Sequence, residues 1–303
     1  MASAFEGVEK RLEIIFSAST SNKNLREKLT RNVLHQILKP VDCKIEDLLS
    51  EDQVDAYLLS ASSLFVFDDF VILKTCGNTK IFECMKELIR VAAREVNSVL
   101  YTRALAEKLN DTNLGLEKVE DAVLGVNDEK QWHILSDFPH AADNNTKEVL
   151  TVELCMRRLD REKASIFEEK TSPTSEKMTE ASGIGLIFPE AKLSTFAFSP
   201  CGYSMNSVEG KAISTIHVVP EEAWSFASFE CCGYEFKDDE SLQQVVARAL
   251  ACFKPKMFTL AIRSNLPVIG GEPQCNLDPD GYSCKREICS LEKGGSVVYY
   301  YTV

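Results

Sequence analysis

Side chains able to act as nucleophile, acid or base are concentrated in a few short strings of this chain. The densest runs from Tyr57 to Gly77, YLLSASSLFVFDDFVILKTCG. In it Ser60, Ser62 and Ser63 stand between two apolar runs, and Cys76 lies near the end. FSPCGYSMN (198–206) carries Ser204, STIHVVPE (214–221) carries His217 and Glu221, and FEGVEK (5–10) carries Glu6 and Glu9. Hydroxyl, thiol, imidazole and carboxylate are the groups of nucleophilic and general acid–base chemistry. By spacing alone each has an ordinary reading as well. A serine pair at the mouth of a strand is a polar edge, and Cys76 is a small core residue. His217 is a satisfied core or surface histidine, and Glu6 and Glu9 form the solvated face of a strand. There is no repeated CxxC and no Cys/His cluster with zinc spacing, so no metal site is expected.

The frame holding these strings is that of a water-soluble globular protein. The 303 residues are 45% hydrophobic and 26% charged, enough for one large domain or two ordinary ones. Forty-six acids against 34 bases give a net charge of −12. That excess disfavours nucleic acid and anionic membranes as partners, since both need a positive face. No apolar run approaches the roughly 18–20 residues of a membrane span. The first sixteen residues mix Glu, Lys and Arg into the apolar positions, unlike a signal peptide. Eleven scattered cysteines, with Cys231 and Cys232 adjacent, suit a reduced cytoplasmic protein.

Periodicity assigns the elements. Residues 5–16 read as a strand, and Leu25 to Leu38 has helical apolar spacing that Pro40 stops. The runs on either side of Asp68-Asp69 read as a hairpin. A helix opens at Thr79 with Asn78 or Thr79 as its cap, and Val99 to Thr102 is a strand. Ala104 to Val126 is polar with weak helical spacing. Trp132 to Leu135 and Val149 to Met156 are strands, Asp160 caps a helix to Lys170, and 171–182 resembles a linker. Strands at 194–198, 213–219 and 224–230 precede a helix over 239–253. Closing strands at 257–262 and 296–302 flank a long Gly/Pro/Cys-rich segment, 267–295, that reads as loop with short strands. Strands, helix, strands in each half spell α+β with helices covering sheets.

The strings themselves carry more than periodicity. Leu59-Ser60-Ala61-Ser62-Ser63-Leu64-Phe65-Val66 followed by Lys74-Thr75-Cys76-Gly77 resembles the self-cleavage site of eukaryotic S-adenosylmethionine decarboxylases. FEGVEK, FSPCGYSMN, STIHVVPE and SFASFE (225–230) resemble four further motifs of that family, in the same order. The resemblance spans nearly the whole chain and is nearest to plant enzymes, notably at LDREKAS (159–165) and AIST (212–215). It implies a single domain over 1–303, with an α+β, four-layer αββα sandwich of two facing antiparallel sheets.

The resemblance also implies a chemistry. Decarboxylation at an α-carbon needs an electron sink, and a ketone conjugated to an amide can condense with the substrate amine and supply one. No side chain offers that ketone. In this family it is a covalently bound pyruvoyl group derived from the serine matched by Ser62. The chain is cut between 61 and 62 into a short β chain (1–61) and a long α chain (62–303). His217 matches the residue that removes the serine α-proton, and Ser204 matches its support. Cys76 matches the acid that protonates the product carbon, and Glu6 and Glu9 match N-terminal active-site acids. Phe5 and Phe198 match rings that stack on adenine, Leu59 and Ala61 match backbone contacts to it, and Glu221 matches the ribose ligand. The substrate implied is S-adenosylmethionine, and the product is the aminopropyl donor for spermidine and spermine.

Three departures from the family pattern stand out. Ala61 replaces a glutamate beside the scissile bond. The segment between Thr102 and Trp132 is shortened, and a strand lost there exposes a sheet edge. Val149 stands where animal enzymes carry an acid of a diamine site, so putrescine activation is not expected. Two functions are compatible with this pattern: an active self-processing decarboxylase, or a poorly processed paralog that acts as partner of an active copy.

Overall fold

The computed structural model describes residues 9–17, 23–60, 62–77, 79–104, 120–126, 130–137, 148–266, 276–291 and 295–303. The chain divides into two compact units, Met1–His140 and Ala141–Val303. Among the described residues each unit is one eight-stranded antiparallel sheet with helices packed on it.

In the first unit the strands are β1 (Glu9–Phe16), β2 (Ile45–Ser50), β3 (Asp55–Leu59), β4 (Ser62–Val66), β5 (Phe70–Cys76), β6 (Val96–Ala104), β7 (Glu120–Leu124) and β8 (Trp132–Asp137). Their order in the sheet is β2-β3-β4-β5-β1-β6-β8-β7. Period-two alternation turns Leu12, Ile14, Leu64, Val71 and Leu73 to one face, where they form a core with helices α1 (Leu25–Lys28), α2 (Arg31–Ile37) and α3 (Ile81–Ala92). The helix expected over 25–38 is thus two short ones. Asn24 caps the first with a full capping box, and Thr30 starts the second. The cap of α3 is Lys80, without a side-chain cap bond; Thr79 instead pairs with Thr75, Oγ1 to Oγ1 at 2.7 Å, and Asn78 lies outside the described residues. The shortened segment still yields a strand. β7 pairs with β8 from Glu120↔Ser136 to Leu124↔Trp132 and forms the edge of the sheet, so the weak helical reading of 104–126 is corrected there.

The second unit has β9 (Leu150–Arg157), β10 (Lys192–Ala197), β11 (Tyr203–Glu209), β12 (Ala212–Val219), β13 (Phe226–Cys232), β14 (Met257–Ser264), β15 (Cys284–Ser290) and β16 (Ser296–Thr302). Their order is β10-β11-β12-β13-β9-β14-β16-β15. Leu154, Ile216, Phe229 and Leu260 point to one face and join residues of α5 (Ser175–Ser182) and α6 (Asp239–Phe253) in a second core. Asp160 caps α4 (Arg161–Ser165) as expected, accepting from the Lys163 N–H at 3.1 Å. The linker reading of 171–182 fails. Thr174 caps α5, and Met178, wholly buried, pins it to the sheet. Among the described residues no helix is long and apolar enough to cross a membrane.

In both sheets the face away from the apolar core is polar and yet buried. Glu9, Arg11 and Lys74 lie on it in the first unit, and Ser204, Asn206, Thr215, His217 and Glu230 in the second. The ordinary reading of Glu9 as a solvated strand face is therefore wrong. Its carboxylate is buried and ion-paired with the buried Lys74, Nζ to Oε2 at 3.4 Å.

Candidate active site

β3 and β4 pair antiparallel from Asp55↔Val66 to Leu59↔Ser62, and Ser60 follows the end of β3. Ser62 opens β4, almost wholly buried, in register with Leu59 on one side and Thr75 on the other. Two segments hold this end of the pair. Lys44 donates its backbone N–H to Ser60 Oγ at 3.1 Å and accepts from the Ser60 N–H at 3.0 Å. The Cys43 thiol lies 3.4 Å from Ser62 Oγ. Lys10 on β1 reaches the Thr79 carbonyl at 2.9 Å, next to the Thr75–Thr79 pair. Cys76 ends β5 half-buried, in register with Glu9. Strand alternation therefore puts Ser62 and Cys76 on opposite faces of the sheet. Phe5, Glu6 and Ala61 lie outside the described residues.

In the second unit the register itself builds the constellation. Ser204 on β11 is directly opposite His217 on β12, and Ser204 Oγ stands 2.8 Å from His217 Nδ1. Thr215, two residues back and on the same face, brings Oγ1 to 3.2 Å from Nε2. A buried imidazole with a hydroxyl at each ring nitrogen is fixed in orientation. A hydroxyl both donates and accepts, so either neutral tautomer is satisfied. The ring can release a proton from one nitrogen and take one at the other without moving. Ser228, fully buried on β13, faces His217 from the other side of the register.

Two loops leave the same end of this sheet. The β10–β11 corner presents Phe198, half-buried, its ring edge-on to Phe196 at 4.9 Å between centroids. The Phe198 N–H donates to the Gly202 carbonyl at 3.0 Å, and the Gly202 N–H to the Phe167 carbonyl at 2.9 Å. Gly202 has φ +118°, and a Cβ there would stand 3.4 Å from the Phe198 Cβ, so only glycine suits this corner. The β12–β13 turn carries Glu221, exposed. An open cavity of about 480 Å³ lies between the loops, lined by Glu221, Pro220, Cys201, Pro200 and the 168–170 segment. Arg161 at the start of α4 braces its floor. One Nη donates to the Pro220 carbonyl at 3.1 Å and the other to Glu168 Oε1 at 2.6 Å. Lys170 and Arg161 hold the Glu168 carboxyl below the usual carboxylate range. Burial, aided by the charges of Glu221 and Glu168, pushes the Cys201 thiol up. At this one sheet end an exposed acid on one loop and a half-buried aromatic ring on the other supply a charged acceptor and a stacking face.

Each unit thus gathers its own expected residues: Ser62 with Leu59, Cys76 with Glu9, Ser204 with His217, and Phe198 with Glu221 at one sheet end. Sequence reasoning missed Thr215, Lys74 and Cys43. Thr215 was legible in principle, since a hydroxyl two residues before a strand histidine shares its face. The other two depend on tertiary pairing.

Two eight-stranded antiparallel sheets, one in each unit and each covered by helices, define an α+β two-sheet protein. The solved Trypanosoma brucei AdoMetDC-delta26 monomer superposes with a TM-score of 0.60 at 20% identity, covering 79% of this chain and 98% of that one, which establishes the α+β fold. The adenosylmethionine decarboxylase family profile matches residues 2–302. Arabidopsis thaliana S-adenosylmethionine decarboxylase proenzymes 2 and 1 are 40% and 41% identical to it; each alignment covers 98% of this chain, and 90% and 89% of theirs. The chain belongs to the adenosylmethionine decarboxylase family.

Proposed function

We propose that this protein decarboxylates S-adenosylmethionine after cutting itself between residues 61 and 62, so that one polypeptide of 303 residues works as two chains. The product is the aminopropyl donor for spermidine and spermine. The observation that carries the reading is His217 held between Ser204 and Thr215 in a chain that matches the family end to end.

Ser62 suits the making of a pyruvoyl group, because its hydroxyl is buried at a strand mouth close to Ser60, which Lys44 ties down. Ser62 Oγ bonds to the carbonyl carbon of residue 61 as the C–N bond breaks, and the hydroxyl proton passes to the nitrogen. His217 then removes the Ser62 α-proton. The Cβ–Oγ bond breaks, residue 61 leaves as a carboxylate, and water hydrolyses the remaining enamine with release of ammonia. The pyruvoyl group left at position 62 supplies the electron sink for decarboxylation. Cleavage also makes residue 62 a chain end, free of the strand alternation that keeps Ser62 and Cys76 on opposite faces.

In turnover Cys76 acts as the general acid that protonates the product carbon. Glu6 and Glu9 belong to the substrate site. Phe5 and Phe198 stack on adenine, Leu59 and Ala61 contact it through their backbone, and Glu221 accepts from the ribose hydroxyls. No putrescine is needed. Val149 is no acid, and the buried Arg263 lies on the same sheet face as the buried Glu153 and Glu230, which are in register with one another. A cytoplasmic location is supported by the free thiols of all ten cysteines among the described residues. A second reading, a poorly cleaved partner of an active copy, is favoured by Ala61 in place of the family's glutamate.

Denaturing electrophoresis with intact-mass analysis separates the two readings. The parent protein is expected as a short and a long fragment, and Ser62→Ala as one full-length chain. Continued cutting at the same bond in Ser62→Ala would remove Ser62 from its role. A parent protein that stays whole supports the second reading.

A further inference from the structure

We propose that Cys43 is a positioning residue for self-cleavage: its sulfur accepts a hydrogen bond from the Ser62 hydroxyl and sets the direction in which that oxygen attacks. The inference rests on Ser62 being the nucleophile.

The geometry is specific. Cys43 Sγ stands 3.4 Å from the Val41 carbonyl oxygen and 3.4 Å from Ser62 Oγ. A carbonyl only accepts, and a thiol has one proton. With that proton on Val41, the sulfur is left as acceptor and the Ser62 O–H donates to it. Both Oγ lone pairs are then free of the thiol, as attack on a carbonyl carbon requires.

A second observation makes this more than a neighbouring cysteine. The adjacent Lys44 makes both backbone bonds to Ser60, with its N–H to Ser60 Oγ and its carbonyl to the Ser60 N–H. The dipeptide Cys43-Lys44 therefore grips the residues on either side of position 61, the bond to be cut and its nucleophile together. Lys44 against Ser60 continues the register of Ile45 against Leu59, where β2 meets β3, so the sheet itself brings this dipeptide to the start of β4.

Cys43 is not the base. Burial pushes its thiol up, partly opposed by the Ser62 hydrogen bond, so it stays protonated at neutral pH. In the acyl shift the bond from Ser62 Oγ to carbon 61 forms, the C–N bond breaks and the hydroxyl proton ends on that nitrogen. The thiol gains and loses nothing. It restricts the rotamer of the attacking side chain.

The test compares the parent chain with Cys43→Val, Cys43→Ser and Ser62→Ala, following cleavage by denaturing electrophoresis and folding by thermal melting. Valine keeps the volume but removes the acceptor, so cleavage is expected to slow at least fivefold. Serine restores an acceptor and donor, so its rate is expected within about threefold of the parent. Cys43→Val cleaving at the parental rate overturns the proposal. Equal slowing by both substitutions also overturns it, since that marks a packing role. Cleavage that persists in Ser62→Ala overturns the Ser62 assignment and this inference with it. Parental cleavage abolished by Ser62→Ala but indifferent to Cys43 removes this inference alone.

Discussion

Replacing Thr215 by valine tests the histidine geometry most directly. The side chains are nearly isosteric, so the change deletes one hydroxyl, 3.2 Å from His217 Nε2, and little volume. Ser204 still holds Nδ1 at 2.8 Å. A buried polar group that loses its partner costs about 1–3 kcal/mol. Spent wholly on the orientation of the ring in the proton-removing step, that is about a 5- to 150-fold loss of rate. Spent wholly on the folded state, it lowers the melting temperature by roughly 2–4 °C per kcal/mol and leaves the rate alone. The chemistry distinguishes these outcomes further. The acyl shift precedes removal of the Ser62 α-proton, so a misoriented ring stalls the chain as an ester that hydroxylamine splits. Thr215→Val is expected to accumulate this hydroxylamine-sensitive form and to release its two fragments slowly. Fragments forming at the parental rate, with no ester trapped and no change in melting, would refute the idea that Thr215 orients His217.

Two further outcomes follow from other parts of the structure. Gly202→Ala is expected to cost at least about 1 kcal/mol, because φ +118° disfavours any side chain and the new methyl meets Phe198. Its KM for S-adenosylmethionine should rise more than its kcat falls, and an unchanged melting curve and KM would contradict the argument. Adding putrescine is expected to leave cleavage and CO2 release unchanged; stimulation of either would contradict the expectation drawn from Val149.

The legible parts of the fold were those where the chain alternates strictly. Ile213 to Val219 reads as a strand from its sequence, and the same alternation gives Thr215 and His217 a common face. Helix α6 declares itself by its apolar spacing and by the aspartate at its start. Where the sequence misled, the cause was weak amphipathicity. Helix α5 rests on little apolar surface beyond Met178, so its polar composition passes for a linker while Thr174 and a tertiary contact hold it. Among the described residues β7 is an edge strand paired to β8 alone, and an edge needs no apolar face on both sides. Of the site, the motif residues were visible as strings, but the hold of Cys43-Lys44 on Ser60 and Ser62 was not. It joins residues 16 to 19 positions apart through strand pairing that no local pattern encodes.

The polar faces of the two sheets carry the argument from stability to function. Glu9 and Lys74 form an ion pair with both side chains about 95% buried, and the almost wholly buried Arg11 pairs with Glu13 at 2.7 Å. Removing such charges from water costs several kcal/mol per ion before their attraction repays it, and well-packed apolar replacements are often neutral or stabilising by about 1–4 kcal/mol. The opposite face of the same strands shows that this chain can build an apolar surface, with Leu12, Ile14, Val71 and Leu73 in line. Stability alone therefore does not account for charges at 9, 11 and 74. They lie beside Cys76 in the register, and in the proposed function a substrate carrying a sulfonium, an amine and a carboxylate would meet there fixed counter-charges that water does not screen. The energetic cost falls where that chemistry calls for it, which ties the buried charges to the decarboxylase reading rather than to the fold.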